Sequence, residues 1–226
     1  IKWVAKLGSQ AYGNVTIANG RVFAGTNNES PRDGGKKGDR GVVMCFNEKS
    51  GNLEWQLVIP KLGAGKVSDW EYIGVCSSPA IEGNMVYVVT NKCEVVCLDI
   101  EGFKNGNDGP YMDEANYVKP KGTQDVLNKE LDADIIWMYD MRDELGVFPH
   151  NVTSSSPLLI GDTVYVATSD GVDWSHTHIP SPLSPSWVAL DKNTGELIGE
   201  DGSGASAGAL HAAWSSLTYG KIKGDE

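Results

Sequence analysis

The sequence predicts an all-β fold, namely a β-propeller built of four-stranded antiparallel blades. The main observation is a repeat: residues 77–90 (SSPAIEGNMVYVVT) recur as residues 155–168 (SSPLLIGDTVYVAT), and residues 15–26 are a looser copy. Each copy is an apolar strand, a tight turn with glycine and a second strand rich in valine and aromatic residues, which indicates a β-hairpin. The 27 glycines and 10 prolines also favour many turns over long helices.

A third and a fourth strand follow each hairpin, and four antiparallel strands repeated in series are typical of propeller blades. We predict one domain over residues 1–226. Its parts are the last strand of a preceding blade at 1–7, full blades at 8–60, 74–140 (with an insertion at 99–134) and 151–200, and the start of a further blade at 213–226. Because propellers close with about 4–8 blades, we expect a segment of a larger ring. The expected partners are the remaining blades or a second copy of the chain.

Composition and charge exclude two classes of function. The chain has 30 acidic against 19 basic residues, a net charge of −11, which argues against binding to nucleic acid. No apolar run approaches the roughly 20 residues of a membrane-spanning helix. The hydrophobic fraction of 40% indicates a globular chain rather than a disordered one.

The long loops are expected on one rim of the propeller. Strand direction alternates, so loops between second and third strands share a rim with the connections between blades. The long segments at that rim are 27–40, 60–74, 141–151, 170–186 and 200–213. A loop face on a rigid scaffold is where binding residues usually lie, and the ligand-binding candidates there are Trp70, His150, Asp173, Trp174, His176, His178 and His211.

The histidines among these candidates have two interpretations. In residues 173–178 (DWSHTH), the H-x-H spacing on an extended segment places His176 and His178 on one side, which suits a metal. His150 and His211 could join them from neighbouring blades. Alternatively, the four side chains hydrogen-bond the loop backbone or face solvent.

The insertion after Asp99 is rich in the hard oxygen donors that calcium prefers. The candidate ligands are Asp99, Glu101, Asn105, Asn107 and Asp108. An EF-hand is not formed, because Pro110 stands where its terminal glutamate belongs. The alternative is an Asn/Gly turn with solvated charges.

The four cysteines form two groups. Cys45 and Cys97 share one position of the repeat, on a third strand, and are predicted to be small core residues. Cys76 and Cys93 lie at the same rim of one blade, where a disulfide is expected from the geometry; two free thiols are the alternative. A disulfide would fit an exported protein.

Residues 45–55 (CFNEKSGNLEW) resemble the tryptophan-docking repeat of quinoprotein-like, or PQQ-like, propellers, with Trp55 four residues after Gly51. Residues 189–198 fit the same pattern, but Gly199 stands in the tryptophan position, while Trp3 and Trp137 fill it elsewhere. The resemblance implies a periplasmic or secreted protein. It leaves three functions open: a module that binds a ligand or protein through its loop face, a PQQ- and calcium-dependent alcohol or sugar dehydrogenase, or an outer-membrane assembly scaffold. The adjacent cysteine pair of most such dehydrogenases is missing, since Cys76 is followed by Ser77.

Overall fold

A computed structural model describes residues 1–119 and 127–222 of the chain. These residues form three four-stranded antiparallel sheets in chain order, so the predicted all-β fold with four-stranded blades is confirmed. The first blade contains β1 (Thr16–Ala18), β2 (Arg21–Asn27), β3 (Arg40–Asn47) and β4 (Leu53–Pro60). The second contains β5 (Ala80–Glu82), β6 (Met85–Val89), β7 (Glu94–Asp99) and β8 (Ile135–Asp140). The third contains β9 (Leu158–Ile160), β10 (Thr163–Ala167), β11 (Trp187–Asp191) and β12 (Leu197–Glu200).

The helices are short and lie in the connections. They are α1 (Glu114–Tyr117) and α2 (Met141–Leu145), with single 3-10 turns at Gly65–Val67, Gly102–Asn105 and Ala205–Gly208. Asp140 begins α2, because its carboxylate accepts hydrogen bonds from the backbone N–H groups of Arg142 and Asp143. Within the part of the chain that the structure describes, none of the helices is long and apolar enough to cross a membrane.

The first hairpin shows how the repeat encodes its turn. Ala18 pairs with Arg21, so the loop between β1 and β2 consists of Asn19 and Gly20 alone. Both residues have positive φ, 51° and 74°. This is the backbone of a tight hairpin turn, for which Asn-Gly is the favoured pair because both residues tolerate the left-handed region.

The repeat is also visible at the outer edge of the blades, where tryptophans join neighbouring sheets. The indole N–H of Trp55 donates to Ile100 O at 2.8 Å, and that of Trp137 donates to Lys192 O at 3.0 Å. Trp3 makes the same bond to Glu48 O at 2.8 Å. Each indole lies over a glycine of the next turn, respectively Gly102, Gly195 and Gly51.

The sheets pack face to face, and the core lies between them. The first core contains Phe23, Val43 and Leu57 from the first blade with Val86, Val96 and Leu98 from the second. The second contains Tyr87, Val95 and Trp137 from the second blade with Val164, Val166 and Val188 from the third. Burial of each such side chain contributes roughly 1.5–3 kcal/mol, and this stacking fixes the positions of the loops.

The two end segments differ from their predicted secondary structure. Residues 1–7 form no strand, since no third strand of a preceding blade lies among the described residues to pair with them. Trp3, Ala5 and Leu7 nevertheless pack on the first blade, where the last strand of a preceding blade is expected. Residues 213–222 do not form a strand either, and residues 223–226 lie outside the described part of the chain.

The four cysteines are buried free thiols, so the predicted Cys76–Cys93 disulfide is wrong. The two side chains approach different groups: Cys93 Sγ lies 3.2 Å from Thr168 O in the third blade, whereas Cys76 Sγ lies 3.9 Å from Gly74 O. Both residues lie at the same rim of the blade, but their sulfur atoms contact different groups. Cys45 and Cys97 lie in the cores, as predicted.

Candidate metal centre on the loop face

The long connections at one rim are tied to each other by backbone contacts. Trp70 N donates to Asn151 O and Asn151 N donates to Val67 O, both at 2.8 Å. Isolated bridges join Pro149 to Asp170 and Gly171 to Ala212. These contacts connect four of the five long segments, so side chains from distant parts of the sequence are held at one place. We call this rim the loop face.

His150 lies at the centre of the loop face and is fully buried, with 0% of its surface exposed. Its backbone N–H donates to Ser169 O at 3.1 Å, which fixes the residue against the third blade. Neither ring nitrogen makes a hydrogen bond of standard geometry, although the backbone of Val172 lies close enough to interact with the ring. Burial lowers the pKa of His150; the neighbouring His211 and His176 act in the same direction, and the backbone of Val172 opposes them.

His176 approaches His150 from the segment between β10 and β11. Asp173 shapes this turn, because its carboxylate accepts from Ser175 N at 2.8 Å. His176 Nδ1 lies 2.9 Å from Trp174 O. A carbonyl oxygen only accepts hydrogen bonds, so Nδ1 carries the proton and Nε2 keeps its lone pair free for a ligand. Carbonyl groups commonly orient metal-binding histidines in this way.

His211 completes the cluster from the connection that follows β12. Its carbonyl accepts from Val172 N at 2.9 Å, beside the Gly171–Ala212 bridge. The ring centroid of His150 lies 4.8 Å from that of His176 and 4.9 Å from that of His211. One nitrogen of each of the three rings lies within 4.8 Å of the others. Among the described residues, this is the one group of three His, Cys, Asp or Glu side chains that converges so closely.

Three imidazoles are a ligand set for zinc and other first-row transition ions, and they leave a fourth position open. Zinc lies about 2.0–2.1 Å from each nitrogen, so the three nitrogens must approach to roughly 3.4 Å of one another to bind it. Side-chain rotation of His176 and His211 can supply this movement, because both are exposed. The buried His150 is the fixed member.

The structure brings together some of the predicted site residues and leaves others apart. His178 is outside the cluster, and its carbonyl accepts from Asp173 N at 2.9 Å. Ser175 holds the pKa of the partly exposed Asp173 below its usual range, and the nearby His178 and His176 act in the same direction. Trp174 is half-exposed, with its ring 6.1 Å from that of His176.

Trp214 is a residue of the site that the sequence analysis did not identify. Its ring stacks on His150 at 5.8 Å and contacts His211 edge-on at 4.7 Å. Its indole N–H donates to the carbonyls of His150 and Val152, both at 3.0 Å. The repeat contained a signal for it, since Trp214 precedes a Ser-Ser pair as Cys76 and Ser154 do.

An open cavity of about 410 Å³ lies next to the histidines. Its lining is mainly aromatic and small side chains, among them Tyr12, Trp70, Cys76, Val152, Ser154 and Trp214. Tyr12, Cys76, Ser154 and Trp214 occupy the same position of four successive repeats, which is the position before the first strand. The cavity therefore lies where the repeats meet, and Trp214 separates it from the histidine cluster.

The residues predicted to bind calcium form bonds with protein groups. Asn105 Nδ2 donates to Asp99 Oδ2 at 3.2 Å and to Asp108 Oδ2 at 2.9 Å. Glu101 is turned toward the first blade, where it pairs with Arg21 at 2.7 Å. Asn107 faces Glu114 of α1 instead, with Nδ2 at 3.1 Å from Glu114 Oε2.

Residues 1–213 match the sequence profile of the family described as outer membrane protein assembly factor BamB. The chain belongs to this family. The predicted relationship to quinoprotein-like repeats is thereby confirmed, and the BamB-family repeat accounts for the three blades. A comparison with curated protein sequences gives no match.

Three solved structures are similar to this chain, and the first supports the same fold. The quinohemoprotein alcohol dehydrogenase ADHIIG from Pseudomonas putida HK5 is similar at 14% identity with a TM-score of 0.54, over 96% of this chain and 28% of that chain. BamB from Moraxella catarrhalis has 16% identity and a TM-score of 0.42, over 84% and 36%. The quinohemoprotein alcohol dehydrogenase from Comamonas testosteroni has 11% identity and a TM-score of 0.48, over 83% and 20%. This chain thus spans between 20% and 36% of the length of these structures.

Proposed function

We propose that this chain is the ligand-binding part of a propeller, and that His150, His176 and His211 hold a first-row transition-metal ion on its loop face. The observation that carries the proposal is His150, a fully buried imidazole whose two nitrogens make no hydrogen bond of standard geometry, beside the rings of His176 and His211. Leaving a buried polar group unpaired costs about 1–3 kcal/mol. A metal ion bound to one nitrogen offsets that cost.

The surroundings of the cluster favour binding over a purely structural role. Three histidines leave a coordination position for water or for a donor atom of a ligand. The aromatic cavity lies directly beside it, across Trp214. The two features together suit a small molecule or peptide side chain that has one metal-binding donor group and an apolar body.

The test is metal binding by the dialysed protein. With Co²⁺ as the probe, we expect one ion per chain and the visible absorption of a site with nitrogen ligands. His176→Ala and His211→Ala should each weaken Co²⁺ binding at least tenfold. His178→Ala is the matched control, because it lies in the same exposed turn but outside the cluster, and it should bind as the wild type does. Stoichiometry well below one, or equal loss in the control, would overturn the proposal.

The second candidate is a PQQ-dependent dehydrogenase, which the aromatic cavity favours. The described residues that line the cavity fit this cofactor poorly. PQQ carries carboxylates, yet none of these lining residues is lysine, arginine or histidine, and Cys76 has no adjacent cysteine. The binding module is therefore preferred. Reduction of a redox dye by an alcohol or sugar, in the presence of added PQQ and calcium, would reverse that preference.

The third candidate, an assembly scaffold at the outer membrane, rests on the family description. That description also supports a periplasmic or secreted location, which we propose with it. A fusion of the full-length gene to a reporter that is active only outside the cytoplasm tests the location. A scaffold needs no metal, so the Co²⁺ experiment distinguishes it from the binding module.

A further inference from the structure

We propose that the insertion between β7 and β8 contains a calcium site formed by Asn107, Glu114 and Asp134. This site lies in the second blade and is independent of the histidine cluster. It also differs from the ligand set expected from the sequence, of which it keeps only Asn107.

The first observation is a set of buried oxygen atoms without partners. Glu114 and Asp134 are 1% and 0% exposed, respectively. One oxygen of each carboxylate, Glu114 Oε1 and Asp134 Oδ1, has no hydrogen-bond partner, and neither has the buried Asn107 Oδ1. Native proteins rarely leave such atoms unpaired, so each of these three oxygen atoms is available to a ligand.

The second observation is how these side chains are held. Asn107 Nδ2 donates to Glu114 Oε2 at 3.1 Å, and the backbone N–H of Asp108 donates to Asp134 Oδ2 at 2.9 Å. In both Glu114 and Asp134, one carboxylate oxygen accepts a hydrogen bond from residue 107 or 108. The other carboxylate oxygen has no hydrogen-bond partner. Because both donors belong to neighbouring residues, the two carboxylates are positioned from one point of the chain.

The third observation is uncompensated charge. Asp99 and Asp108 lie close by, linked by Asn105. Among the described residues, no lysine or arginine forms an ion pair with Asp99, Asp108, Glu114 or Asp134. A buried cluster of negative charge needs a cation to be stable in its ionised form.

The chemistry of the donors favours calcium. All are hard oxygen atoms, and calcium accepts six to eight oxygens in flexible geometry at about 2.3–2.6 Å. Two carboxylates and one amide oxygen leave room for water and backbone carbonyls. Three carboxylates do not converge here as the histidines do, so Asp99 and Asp108 supply charge around the ion rather than direct ligands.

The experiment compares thermal unfolding of the full chain after EDTA treatment with and without added Ca²⁺. At 100 times the dissociation constant, Ca²⁺ should raise Tm by about 5–10 °C. Glu114→Gln and Asp134→Asn should abolish this shift while remaining folded, because the amides preserve the shape and remove the buried charge. Asp113→Asn, an exposed neighbour, is the matched control and should retain the full shift.

Two further arms separate the outcomes. His211→Ala should keep the Ca²⁺ response, so failure of the histidine proposal does not affect this one. An equal shift with Mg²⁺ would overturn the assignment to calcium. A wild-type protein that is folded but shows no shift with Ca²⁺, or a shift that survives Glu114→Gln, would overturn the site.

Discussion

The backbone N–H of Ser78 donates to the side-chain oxygen of Ser156 at 3.0 Å, joining the same position of two repeats 78 residues apart. The contact recurs on both sides: Asn14 N donates to Ser78 Oγ at 2.8 Å, and Ser156 N donates to Ser216 Oγ at 2.9 Å. The four residues therefore form one continuous row of bonds along the inner ends of the blades. Ser216 takes part although its segment forms no strand, as is expected if residues 213–222 begin the next repeat.

Removing one link of this row should destabilise the chain. Ser156→Ala deletes the acceptor of Ser78 N, and loss of a partly buried hydrogen bond costs about 1 kcal/mol. We expect Tm to fall by about 2–4 °C in a calorimetric scan. Ser203→Ala, an exposed serine that bonds Asp201 within one loop, is the control. Equal Tm values for the two variants would contradict a role for the row in holding the blades together.

The docking of tryptophan onto glycine predicts a pair of contrasting substitutions. A Cβ on Gly195 would lie 2.5 Å from the Trp137 ring, and Gly195 has a φ of +75°. Gly195→Ala should therefore displace Trp137 and cost about 1–3 kcal/mol, lowering Tm by several degrees. Gly199→Ala meets no atom within 4 Å and should leave Tm within about 1 °C. Similar Tm values for the two variants would show that the docking contact is not tight.

Asp170 should make stability depend on pH. Burial raises its pKa to about 6 from an ordinary value of 3.8, so the folded chain holds this proton more tightly than the unfolded chain. The stabilisation is complete below about pH 4 and is lost as pH rises through 6. Against Asp170→Asn, which cannot titrate, the wild type should lose about 5–10 °C in relative Tm between pH 4 and pH 7. If the Tm difference between the wild type and Asp170→Asn does not vary with pH, the pKa of Asp170 is not raised.

The free thiols should be unreactive in the folded chain. Burial raises the pKa of Cys45 and Cys76 to about 12, and it raises the pKa of Cys93 and Cys97 as well. At pH 8 we expect a thiol reagent to label the native chain at least 100-fold more slowly than the unfolded chain, since the thiolate is the reactive form. Unfolded protein should give four thiols per chain. A count of two reactive thiols per chain would instead support a Cys76–Cys93 disulfide.

The fold was predictable because its signals are local. A two-residue turn with glycine recurs in all three hairpins, alternating valines follow it in two of them, and Trp55, four residues after Gly51, contacts a residue within about 50 positions of it. The orientation of Cys76 and Cys93 was not predictable, since a shared rim does not define where a side chain points.

The candidate sites depend on contacts between distant segments, so only their composition could be anticipated. The sequence analysis joined His150 and His211 to the H-x-H run as one hypothesis, and the structure brings both to His176 but not to His178. The turn set by Asp173 carries His178 out of the cluster. Glu114 and Asp134 escaped notice because they follow Asn107 by 7 and 27 residues, and folding alone brings them near it.

The glycine at position 199 has a mechanical consequence. On each of the first two blades, a tryptophan of the outer strand hydrogen-bonds to the next blade. The outer strand of the third blade has only Leu197 and Ile198 near that position, and both are exposed. The contacts that hold neighbouring blades together are therefore weaker at the third blade than at the first two. The outer edge of the third blade, at β12, should be the first region to exchange its amide hydrogens for deuterium and the first to unfold under applied force.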